Sequence, residues 1–67
     1  MAFKTYNQRV IEERDELDDR LKRLRVFLTT DLYKSLSRED REYLYTQSIH
    51  MDNYLATLVR RIGRFNG

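Results

Sequence analysis

The feature that most constrains this chain is a line of apolar residues in its second half. Leu44, Ser48, Met51, Leu55, Leu58, Ile62 and Phe65 follow one another at alternating spacings of four and three. That is the period of a stripe along an α-helix, not the alternation of a strand. No proline breaks it, and the chain of 67 residues contains none. Only two glycines are present, so turn formers are scarce, which argues for long helices against a many-turned β fold. A helix is therefore predicted over residues 38–62. Ser37 reads as its N-cap, with Glu39 and Asp40 placed where the helix dipole favours anions. Gly63 or Gly67 is expected to mark its end, and Arg60, Arg61 and Arg64 suit a C-terminal turn.

The first half carries a matching line. Val10, Leu17 and Leu24 recur every seven residues, Leu21 and Leu28 follow four after Leu17 and Leu24, and Phe3 extends the series backwards. Arg14 fills the remaining seam position. This predicts a first helix over residues 6–28. Residues 29–37 interrupt the pattern. Thr30-Asp31 starts a single helical turn through Leu36 that tucks Leu32 or Leu36 under a bend, with Phe27 and Tyr33 packing around it.

So short a connection demands an antiparallel pair. Setting side by side residues whose numbers sum to about 72 joins Val10 to Ile62, Leu17 to Leu55, Leu21 to Met51 and Leu28 to Leu44. Arg14 then faces Leu58, and Ser48 faces Leu24. Polar residues at such positions set register or oligomer state. The predicted fold is all-α: one helical-hairpin domain over residues 1–67, with a short bend helix. A second stripe on helix two, Tyr45, Ile49, Ala56 and Val59, has no partner in the hairpin. A hairpin of this length has little core of its own, so the stripe is expected to join copies into a homo-oligomeric bundle.

Charge falls in blocks. Residues 12–19 carry −5, residues 20–25 carry +4 and residues 53–67 carry +3, within a net charge of +2. The acidic block wraps around a helix and reads as a solvated face with Glu16–Arg20, Asp18–Lys22 and Asp19–Arg23 pairs. The antiparallel alignment sets Arg60 and Arg61 opposite Glu12 and Ile11, close to Glu13, and Arg20 opposite Asp52. The basic charge is thus largely answered within the hairpin, and nucleic acid is a disfavoured partner. A phosphate-bearing ligand remains open, with Arg60, Arg61 and Arg64 as cations and Tyr54 as a stacking face, Phe65 lying nearby.

Cysteine is absent and His50 is the one histidine, so neither a disulfide nor a multi-histidine metal site is available. No catalytic constellation surrounds His50, and neither enzyme activity nor a cofactor is expected. No apolar run approaches a membrane span and no signal-like segment opens the chain, so a protein without a membrane association, working inside a cell, is expected.

Taken together, RVIEERDELDDRLKRLRVFL at residues 9–28, the bend near residues 31–36 and QSIHMDNYLATLVRRI at residues 47–62 resemble a family of small tailed-phage proteins related to a short crAssphage protein. The resemblance lies in the Leu-Asp-Arg-Leu core from Leu17 to Leu21 and in Gln47, Met51, Tyr54, Arg61 and Ile62. It implies a phage accessory protein in the cytoplasm of a bacterial host. Such proteins act by binding: they block a host enzyme or defence complex, or sequester a signalling molecule. The sharpest form it implies is an oligomeric sponge for a cyclic nucleotide immune signal. The alternatives are a protein-directed inhibitor and, less strongly, a small DNA-binding regulator.

Overall fold

A computed structural model describes residues 5–65. Three helices follow in order: α1 (Tyr6–Phe27), α2 (Asp31–Ser35) and α3 (Arg38–Gly63). The described residues contain no strand. Phe3 and Gly67, expected to extend the first stripe and to end the chain's last helix, lie outside the described residues.

Each helix starts on a hydroxyl. Thr5 Oγ1 accepts from the Gln8 N–H while Gln8 Oε1 accepts from the Thr5 N–H, closing a reciprocal capping box. Thr30 Oγ1 accepts from the Tyr33 N–H, and Ser37 Oγ accepts from the Asp40 N–H, as the spacing predicted. At the far end of α1, the Thr29 and Thr30 hydroxyls donate at 2.7 Å to the carbonyls of Val26 and Phe27. These are carbonyls the helix itself leaves unpaired. The last helix ends without a left-handed glycine: Arg64 keeps right-handed backbone and its N–H bonds back to Arg61 and Ile62.

The bend is a rigid corner. Phe27 and Tyr33 meet edge to face with centroids 6.1 Å apart, and the Tyr33 hydroxyl donates to the Arg41 carbonyl. Leu36 is half-buried there, while Leu32 stays 64% exposed. Of the two leucines considered for the bend, Leu36 is thus the one drawn in.

Contact between α1 and α3 builds the core. Val10, Leu17, Leu21 and Leu58 are buried, and Met51, Leu55, Ile62 and Phe65 pack against the cluster of Val10, Leu17 and Leu58. The molecule measures 46 × 27 × 15 Å. Its least dimension is close to one helix with its side chains, about 10–12 Å, so the hairpin is a single layer. Ser48 is buried on the seam but satisfied inside its own helix, its hydroxyl donating to the Tyr45 carbonyl at 2.6 Å. Arg14 leaves the seam sideways to hold Asp15 at 2.9 Å, while Leu58 is fully enclosed.

On the solvated face of α1, Lys22 holds Asp18 at 2.9 Å and Arg23 holds Asp19 at 2.7 Å. The Asp18 hydrogen bond raises the Lys22 pKa. Glu16 and Arg20, expected to pair likewise, form no ion pair among the described residues.

Candidate functional site

The two helices face each other along their seams, and each seam has two edges. On one edge the residues step by seven: Tyr6 and Glu13 on α1, Gln47, Tyr54 and Arg61 on α3. Contacts cross here between equivalent positions. The Tyr54 hydroxyl donates to Glu13 Oε1, and Arg61 Nη2 donates to the Tyr6 hydroxyl. On the opposite edge, Arg25 meets Asp52 at 3.1 Å.

This corrects one expected pairing. Arg20 does not reach Asp52, because the two lie on opposite edges of the seam and Arg25 stands on the edge that Asp52 shares. Arg61 lies near enough to Glu13 for that carboxylate to help raise its pKa, while its hydrogen bond goes to the Tyr6 hydroxyl and Glu13 accepts from Tyr54. The axial register near 72 survives. Edge contacts run five residues below that sum on one side and five above it on the other.

The expected cluster of Arg60, Arg61, Arg64 and Tyr54 therefore divides. Arg61 and Tyr54 come together at the seam edge, where Arg61 also opposes the rise in Tyr54's pKa. Arg60 and Arg64 are exposed, and neither makes a side-chain hydrogen bond or ion pair among the described residues. One residue on a helix is about 100° of turn, which carries Arg60 away from the edge that Arg61 occupies.

Electrostatics and ring contacts order the cationic end. The Arg61 guanidinium carbon lies 5.4 Å from the centroid of the Tyr6 ring, within cation–π range. Tyr6 in turn meets Phe65 edge to face at 6.5 Å. The hydrogen bond to Tyr6 raises the Arg61 pKa. The bond to the Glu13 carboxylate raises that of Tyr54, since losing the phenolic proton would abolish it.

Beside Tyr54 opens a groove of about 620 Å³. Leu17, Met51, Tyr43 and Tyr54 line it, and Thr46, Gln47 and His50 supply its polar groups. Apolar atoms dominate the lining. Tyr43 and Tyr54 are 72% and 43% exposed, so both rings are available to a ligand. This lining offers flat apolar faces, an amide and an imidazole, which suit stacking. Arg61 lies outside the lining, seven residues beyond Tyr54 on the same edge.

Sequence reasoning found Tyr54 and Arg61 but missed Tyr43, Gln47, His50 and Met51 as a groove, and Glu13 and Tyr6 as the partners of Tyr54 and Arg61. The signal was present: Gln47, Tyr54 and Arg61 repeat every seven residues, one position before the apolar seam. The second stripe, Tyr45, Ile49, Ala56 and Val59, lies on the other edge and is exposed along its length. No three histidine or carboxylate side chains converge on a common point among the described residues. No helix among them is long and apolar enough to cross a membrane.

No curated protein and no solved structure gives a match to this chain. A family model does: residues 4–64 match the family described as Sequestin, a span that takes in all three helices, both seams and the groove. The hairpin thus belongs to the Sequestin family, whose name points to binding and sequestration as its role.

Proposed function

We propose that this chain is a non-enzymatic phage protein that sequesters a small base-bearing anion, in its sharpest form a cyclic nucleotide signal of bacterial immunity, within the host cytoplasm. The observation that carries the reading is the tyrosine-lined groove at Tyr54, with Arg61 near enough on the same edge for its charge to act on Tyr54. A nucleobase stacked on a tyrosine gains about 1–3 kcal/mol, whatever its identity. The amide of Gln47 and the ring of His50 can meet donors and acceptors on its edge. The phosphate falls to Arg61, whose planar fork suits two oxygens at once.

A single layer of helices cannot enclose most of a ligand's surface, as tight small-molecule sites do. The exposed stripe of Tyr45, Ile49, Ala56 and Val59 is the surface for a second copy; it lies on the edge away from the groove, so self-association there leaves the groove open to its ligand. A second reading, direct inhibition of a host enzyme or defence complex, draws on the same stripe as a protein-binding face. A DNA-binding role has less to support it, because acidic and basic residues alternate along α1.

The test is thermal-shift screening with cyclic di- and trinucleotides, followed by calorimetry on Arg61→Ala and Tyr54→Ala. Stabilisation by at least one ligand, lost in both variants, is expected. Absence of any shift at ligand concentrations well above micromolar overturns the nucleotide reading. One stoichiometric host protein recovered in the same case supports the inhibitor reading.

A further inference from the structure

We propose that a second pocket, at the bend, binds a phosphate-bearing small molecule through Arg41. This pocket of about 340 Å³ is lined by Tyr33 of α2 and by Arg38, Arg41, Glu42 and Tyr45 of α3. It is separate from the groove: Tyr45 and the groove's Tyr43 project from α3 two residues, and so roughly 200° of helical turn, apart.

Charge inside the pocket is unevenly answered. Arg38 Nε holds Glu42 at 3.0 Å, one helical turn on. That pair is self-neutralising. Arg41 is left over: it makes no ion pair among the described residues, and its Nε is enclosed with no hydrogen-bond partner. A buried donor without an acceptor is rare and costly in folded proteins, and calls for one. The Nε–H and the adjacent Nη–H of a guanidinium form a flat fork that matches two oxygens of a phosphate.

The walls are built to stay in place. Tyr33 is held at both ends, its hydroxyl donating to the Arg41 carbonyl at 3.2 Å and its ring set edge-on to Phe27. Tyr45, 57% exposed in the single chain, stands at the mouth, at the end of the stripe assigned to self-association. A carboxylate has two oxygens, which the Arg41 fork would use up. A phosphate keeps others for Tyr45 and for Arg38, which is why phosphate is the class assigned. This inference does not rest on the nucleotide groove.

Arginine Nε–H signals in ¹H–¹⁵N spectra test it directly, with phenyl phosphate and inorganic phosphate as probes and benzoate as the carboxylate comparison. The Arg41 Nε–H and the Tyr45 amide are expected to shift saturably with phenyl phosphate. Arg41→Lys, which keeps the charge and loses the fork, is expected to weaken binding at least tenfold with helicity unchanged. Arg61→Ala removes the groove's cation and is expected to keep the Arg41 response, so failure of the groove reading and failure of this one are told apart. Inorganic phosphate binding at the same residues supports recognition of the phosphate group itself. Shifts that grow linearly without saturation, equal shifts at all arginines, equal saturation by benzoate or an Arg41→Lys variant that binds as the parent does would each overturn the proposal.

Discussion

Leu58→Ala is the sharpest perturbation of this fold. Leu58 is 0% exposed and sits among Val10, Leu17, Met51, Leu55, Ile62 and Phe65. Removing its isobutyl end costs about 2–5 kcal/mol, the upper end applying where neighbours cannot collapse into the gap. Folded domains hold roughly 0.05–0.15 kcal/mol per residue, so a chain of 67 residues commands about 3–10 kcal/mol in all. One truncation thus removes a large share of the total. Since 1 kcal/mol moves the melting temperature of a small domain by about 4–8 °C, a drop of at least roughly 10 °C is expected. The comparison is Leu32→Ala, at a site 64% exposed, expected to stay within about 0.5 kcal/mol of the parent. Urea and thermal melts followed by far-UV circular dichroism, at several protein concentrations, separate loss of core from loss of association, because only association makes the midpoint concentration-dependent. If Leu58→Ala and Leu32→Ala melt together, the seam described above is not what holds the hairpin.

Three further outcomes are expected. Thr5→Ala removes the hydroxyl half of the first capping box and should lower stability by about 0.5–2 kcal/mol; a melt identical to the parent's refutes the cap. Tyr54 titrates above its ordinary value because the neutral phenol donates to Glu13. With the folded pKa raised, the stabilisation is complete below the unfolded tyrosine pKa, about 10, and is lost as pH rises through the folded value. Glu13→Gln should therefore bring the tyrosinate absorbance step of Tyr54 to lower pH, and an unmoved step speaks against the pairing. Ile49→Glu puts a charge in the middle of the exposed stripe and should reduce the mass seen by sedimentation equilibrium; an unchanged assembly shows that copies join elsewhere.

Helix limits were legible because hydroxyl caps and seam spacing act locally. Ser37 and Thr30 do what their neighbours in sequence imply, and the antiparallel register follows from matching two apolar lines. What matching residue numbers alone left out was which edge of the seam each charged residue occupies. Arg20 and Arg25 stand five residues, about 7.5 Å, apart along α1 and on opposite edges of its seam, and Arg25 is the one on the edge that Asp52 shares. Helical turn likewise parts Arg60 from Arg61. The groove stayed hidden for a related reason: Tyr43, Gln47, His50 and Tyr54 follow one another at spacings of four, three and four, but that line mixes polar and aromatic residues and so does not read as a seam, and Leu17 joins it only from the other helix. The Thr5–Gln8 box was simply overlooked, since threonine followed three residues on by glutamine is a recognised start signal.

The thinness of the hairpin has a consequence for how much of the protein a cell would hold. A layer 15 Å deep has little core to hold it shut, and proteolysis of such a fold tracks the population of its open form. A bound ligand depletes that population by mass action. Filled copies would then outlive empty ones, and the amount of this protein that persists would track the amount of ligand there is to hold.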